Sequence, residues 1–142
     1  MTSDELENLV RIGQLKREPS APVELAGLRH SGEARLTDAA NASLSLESRF
    51  DLAYNAAHAF ALAALRRLGY RSEHRFVVFQ SLPHTLGIPP ATWRVLAKCH
   101  GIRNRAEYEG MLDIDERLVK DLIASTRAVR DALDAAELRT ER

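Results

Sequence analysis

The sequence predicts an all-α fold, an up-and-down antiparallel helical bundle with short extra helices. Three observations carry this. Phe50, Ala53, Tyr54, Ala57, Ala61, Ala64, Leu65 and Leu68 recur at three- and four-residue steps, the spacing that lines one face of a helix. Glycine is scarce, 7 residues in 142, and Gly69 and Gly110 stand where periodic runs end. Only Arg75-Phe76-Val77-Val78-Phe79 reads as a strand. It has no second run to pair with, and a lone strand leaves its backbone groups unmet.

In chain order, Ser3 or Asp4 caps a first helix bearing Leu6, Leu9 and Val10 at one-face spacing. Pro19 blocks its continuation, and Pro19-Ser20-Ala21-Pro22 reads as a linker. Residues 1–22 are thus an N-terminal helix or arm with linker, and residues 23–142 the bundle domain. A second helix is expected from Val23 to about Ala42, burying Leu25, Leu28, Leu36, Ala39 and Ala40. His30-Ser31-Gly32 weakens it, since glycine costs about 1 kcal/mol inside a helix.

Ser45 caps the third helix, with Glu47 favourable in its first turn. Its many alanines let another helix approach closely. Arg75–Phe79 is expected as a short helix ending near Pro83, and 84–90 as a loop. Pro90 suits the first turn of the next helix, Ala91 to Tyr108, stopped by Gly110. Trp93, Leu96, Ala97 and His100 or Asn104 share its side. Asp113 with Glu116 resembles a capping box for a last helix. Its face is Val119, Leu122, Ile123, Thr126, Val129, Leu133 and Ala136, and 137–142 is expected to fray.

Composition narrows the function classes. Lys plus Arg and Asp plus Glu are both 20, so the chain has no net charge. A neutral chain exerts no long-range pull on RNA or anionic lipid, so such a contact must come from a local patch. The single cysteine, Cys99, excludes an internal disulfide and fits a reducing, cytoplasmic setting. No run has the length of a membrane span. The acidic N-terminus, Met-Thr-Ser-Asp-Glu-Leu-Glu-Asn, lacks the apolar core of a signal peptide.

No metal and no cofactor is expected. His58, His74, His84 and His100 are scattered, without His-x-x-x-His or Glu-x-x-His spacing. Cys99 and His100 are adjacent, so on a helix they diverge by about 100° and make a poor dyad. No phosphate-cradling glycine loop or nucleophile elbow occurs.

Chemistry concentrates in Trp93–Gly110, which holds His100, Arg103, Asn104, Arg105, Glu107 and Tyr108 within about two and a half helical turns. Guanidinium groups match phosphate oxygens with paired donors. Arg103, Asn104 and Arg105 are therefore candidate phosphate ligands. His58 joins them if Tyr54, Asn55 and His58 face this stretch across the bundle. The plainer alternative pairs Arg103 with Glu107 on the helix surface, worth a few tenths of a kcal/mol. It leaves Tyr108 half-buried as packing and His58 as a solvent-facing or satisfied core residue.

Arg103-Asn104-x-x-x-Tyr108, late in an alanine-rich helical chain, resembles the Arg-Asn-x-x-x-(His or Tyr) motif of prokaryotic HEPN domains. The resemblance spans roughly Val23 to Ala136. It is strongest in Phe50–Tyr70 and Trp93–Gly110. It implies an up-and-down bundle that commonly forms homodimers. Many members carry Arg-x(4–6)-His and act as metal-independent ribonucleases, often toxins in toxin–antitoxin systems. Others partner a small nucleotidyltransferase.

Carried over, Arg103 takes the place of the family arginine and Asn104 that of the polar residue after it. Tyr108 stands where histidine is expected. A tyrosine phenol, with a reference pKa of about 10, is a poor proton carrier near neutrality. The expectation is a dimeric interaction or ligand-binding module, catalytically weak or inactive, with RNA or a nucleotide as ligand and a nucleotidyltransferase as partner. The alternative is a metal-independent ribonuclease using Arg103 with Tyr108 or His100 as catalytic groups. Arg94 and His100 also fit Arg-x(5)-His formally, but lack the arginine–asparagine pair.

Overall fold

The structure, a computed structural model, describes residues 4–140. The expected Ser3 cap and the last two residues lie outside the described residues. The elements are α1 (Asp4–Arg11), β1 (Lys16–Arg17), α2 (Pro22–Ala39), α3 (Leu46–Arg67), β2 (Tyr70–Arg71), α4 (Arg75–Gln80), α5 (Leu82–Thr85), α6 (Pro90–Glu109) and α7 (Glu116–Thr140). The fold is mostly helical, as the sequence predicts.

Helix α3 is the axis of the core. It starts where Ser45 Oγ accepts from the Ser48 amide at 3.1 Å. Phe50, Ala53, Tyr54, Ala57, Phe60, Ala64 and Leu65 are all buried. Directions follow from the contacts. Pairs 24–66, 32–60 and 39–49 run α2 antiparallel to α3. Pairs 49–116, 53–126 and 67–140 run α7 parallel to it. Pairs 54–100 and 51–103 run α6 antiparallel. The long helices therefore alternate in direction along the chain.

Gly32, which weakened the sequence reading of α2, is what α2 needs to sit against α3. A Cβ there would lie 2.7 Å from Phe60 Cε1 and Cζ. Phe60 is completely buried and has little room to yield. Gly32→Ala is expected to lose about 1–3 kcal/mol by overpacking, against a gain of about 1 kcal/mol in helix propensity. Urea unfolding checks the sign.

The N-terminal helix packs on the core: Leu6 and Leu15 are buried. Glu7 accepts from the Tyr70 hydroxyl and pairs with Arg17. These contacts, Arg17 first, hold the Glu7 carboxyl below its ordinary pKa. A short antiparallel ribbon, Lys16 opposite Arg71 and Arg17 opposite Tyr70, was not foreseen. Two residues per strand carry no legible pattern.

Three further expectations are corrected. Asp115, not Asp113, caps α7, accepting from the Leu118 amide at 2.8 Å. Helix α7 continues to Thr140 rather than fraying from 137; Thr140 Oγ1 bonds Ala136 O and receives Arg67. Part of the expected 84–90 loop belongs to α5, which tolerates Pro83 in its first turn. The α7 core face is as expected, with Val119, Leu122, Ile123, Thr126, Val129, Leu133 and Ala136 all buried. Cys99 is buried in apolar surroundings, and desolvation pushes its thiol up to about 12.

Candidate functional site

Two helical stripes of the same spacing face one another. Helix α3 presents Asp51, Tyr54 and Asn55; α6 presents His100, Arg103, Asn104 and Glu107. Steps of three and four residues keep each set on one side of its helix. The start of α4 closes a third side with Arg75 and Phe76. The result is a cleft of about 460 Å³, also lined by Glu73 and His74. That is within the size range of small-ligand sites, roughly 300–1,000 Å³.

Tyr54 lies at the bottom, only 2 % exposed. Its hydroxyl is 3.1 Å from His100 Nδ1. The guanidinium carbons of Arg75 and Arg103 lie 5.5 and 5.8 Å from its ring centroid, inside cation–π reach of about 6 Å. Burial raises the pKa of the phenol, so it remains a neutral hydrogen-bonding group.

His100 is engaged on both ring nitrogens. Nε2 is 3.1 Å from Asn104 Nδ2, an amide that donates, so Nε2 accepts and Nδ1 carries the proton toward Tyr54. Desolvation, helped by the Arg75 charge, lowers the His100 pKa. Near neutral pH it is therefore an uncharged imidazole. To take a substrate proton it must give up the Asn104 bond.

The two arginines differ. Arg103 is ion-paired to Asp51 across the helices, not to Glu107, the partner expected from its own helix. Arg75 Nη1 donates to the neutral Asn55 Oδ1 at 2.8 Å, and Asn55 Nδ2 is held by the Asp51 carbonyl at 2.8 Å. Arg75 makes no salt bridge among the described residues. Among the described residues its charge is the one in the cleft that no paired carboxylate cancels, although Glu73 and Glu107 line the same space.

The structure thus brings together Arg103, Asn104 and His100, and separates them from three other expected site residues. Tyr108 is 91 % exposed and does not line the cleft. Five residues turn a helix by about 140° net, which carries Tyr108 off the Arg103 face. Arg105, about 200° around from Arg103, lines a different hollow with Lys98, Asp113 and Asp115. His58 is half-buried against Phe79, ring centroids 6.0 Å apart. Sequence reasoning missed Arg75 and Phe76, which line the cleft, and Asp51, which holds Arg103 from the adjoining hollow. Asp51 had a signal, since it lies three before Tyr54 and four before Asn55. Arg75 had none beyond a charge opening an apolar run.

His58 yields a pH prediction. Desolvation, with Arg75 second, lowers its pKa to about 4, from an ordinary value of about 6.5. Between those values the unfolded chain binds a proton that the folded chain does not. Stability should therefore fall as pH drops from 6.5 to 4, by up to about 3 kcal/mol. His100 adds a smaller effect of the same sign. Urea unfolding across this range should show the slope, and His58→Leu should flatten most of it.

Among the described residues, no group of three or more His, Cys, Asp or Glu side chains is placed to hold a metal ion. No helix among them is long and apolar enough to cross a membrane. No family model, curated protein or solved structure matches the chain at a significant level.

Proposed function

We propose that this chain is a HEPN-like helical module that binds a phosphate-bearing ligand, RNA or a nucleotide, between α3, α4 and α6, and cuts RNA poorly. One observation carries the binding reading: Arg75 and Arg103 converge over the Tyr54 ring at the bottom of an open cleft, and the partners of Arg75 among the described residues, Asn55 and Tyr54, are neutral. A phosphate there gains donors from guanidinium groups and from Asn104. Arg75 replaces Arg105 as the second cation of the proposal.

Weak catalysis follows from the same geometry. The residue at the family's histidine position, Tyr108, is outside the cleft. The imidazole inside it, His100, is bonded at both nitrogens. In the family reading the module pairs with a second copy and with a nucleotidyltransferase in the cytoplasm. Exposed Tyr108 and Met111, at and just beyond the end of α6, support a partner surface there.

A second reading, a metal-independent ribonuclease, is favoured by the shared cleft of His100 and Arg103. There the neutral imidazole would accept the 2′-hydroxyl proton as that oxygen attacks phosphorus, the P–O5′ bond would break with the 5′-oxygen taking a proton from water, and arginine would stabilise the charge on the phosphoryl oxygens, leaving a 2′,3′-cyclic phosphate. Incubation with total RNA separates the two. Binding without cleavage is expected. Cleavage that Arg103→Ala abolishes would replace the proposal with the enzyme reading.

A further inference from the structure

Phe76 is a large apolar ring on the lip of a polar cleft. It is 42 % exposed and lines the cleft beside Arg75 and His100. Its neighbours fix it. The Trp93 ring meets it edge-on at 5.9 Å, and the His100 ring lies tilted against it at 5.6 Å. A ring already held from two sides loses little freedom when a ligand covers it. Core packing does not explain the position, since Val77, Val78 and Phe79 of the same helix are buried while Phe76 is not.

We infer that Phe76 is the base-stacking platform of the cleft and that the ligand is a nucleotide unit, its phosphate on Arg75 and Arg103 and its base over the Phe76 ring. This rests on the phosphate-binding reading above and adds a determinant to it. Arginines alone take any phosphate. An aromatic face next to them selects a phosphate that carries a flat π system, because base–aromatic stacking stabilises without requiring a particular base. The cleft volume, about 460 Å³, is in the range that accommodates a small ligand. Free nucleotide and single-stranded RNA share this chemistry, and the test separates them.

The experiment titrates the full chain with inorganic phosphate, ribose 5-phosphate, adenosine monophosphate and a tetra-adenylate RNA. Trp93, the single tryptophan, serves as fluorescent reporter beside Phe76. Adenosine monophosphate is expected to bind roughly ten- to a hundredfold more tightly than ribose 5-phosphate. Phe76→Leu keeps the apolar bulk without the π face. It should bring the two affinities together, leave that for ribose 5-phosphate unchanged and leave thermal unfolding nearly unchanged. Tighter binding of the tetramer than the monomer assigns the site to RNA, and equal binding assigns it to free nucleotide; both support a nucleotide unit. Equal affinity for ribose 5-phosphate and adenosine monophosphate in the native chain would overturn the stacking role while sparing the phosphate site. So would a preference that survives Phe76→Leu. No binding of any of the four would overturn both.

Discussion

Arg66→Met is expected to destabilise the fold by about 3–5 kcal/mol, because it strips the partly exposed Glu24 carboxylate and three main-chain carbonyls of their donors at once. For a domain of this size that lowers the Tm by roughly 10–15 °C. The Arg66 side chain is 3 % exposed and uses every donor it has. Nε and Nη2 reach the two Glu24 oxygens at 3.0 and 3.1 Å. Nη1 donates to the carbonyls of Glu18 and Tyr70 at 2.8 and 3.2 Å, and Nη2 also to that of Pro19 at 3.0 Å. One guanidinium thus ties the linker, the start of α2, the end of α3 and the ribbon together. Methionine fills the space and satisfies none of these acceptors. Arg66→Lys should recover little, because an ammonium lacks the planar five-donor fork. Thermal melts followed by circular dichroism check both variants.

The double variant Arg75→Gln, Arg103→Gln is expected to weaken binding of a phosphate-bearing ligand by about a hundredfold or more. Hydrogen bonds to charged groups contribute about 1.5–3 kcal/mol each, and ten-fold in affinity is about 1.4 kcal/mol. Arg75→Gln alone should cost more than Arg103→Gln, since Asp51 already neutralises part of the Arg103 charge. By the same logic Asp51→Asn should tighten binding several-fold by releasing Arg103. Neither arginine is fully buried, and Asn55 retains its bond to the Asp51 carbonyl, so these variants are expected to fold. Calorimetric titration measures all four. A loss that did not depend on Asp51 would argue against the anion sitting on Arg103.

Much of the helical fold was legible because long helices repeat their burial every three or four residues. The whole α7 face reads directly from such spacing, and the Ser45 cap from the capping preference of serine. What was lost involved contacts between segments far apart in sequence. Gly32 looked like a defect of α2 because the Phe60 ring that fills its place lies 28 residues on. The partner of Arg103 was sought four residues along its own helix, yet Asp51 on α3 holds it. Arg105 and Tyr108 were grouped with Arg103 by closeness in sequence, where helical rotation carries them apart. Arg75 and Phe76 were read only for whether they made helix or strand. The packing of α4 against α3 and α6 is what turns them into cleft walls.

The measurement that bears most directly on the cleft is amide chemical-shift mapping during titration with adenosine monophosphate. Perturbations are expected to concentrate at Tyr54, Arg75, Phe76, His100, Arg103 and Asn104 and to saturate together. Saturable perturbations confined instead to Arg105–Met111, or none at all with ligand in large excess, would contradict binding in the cleft.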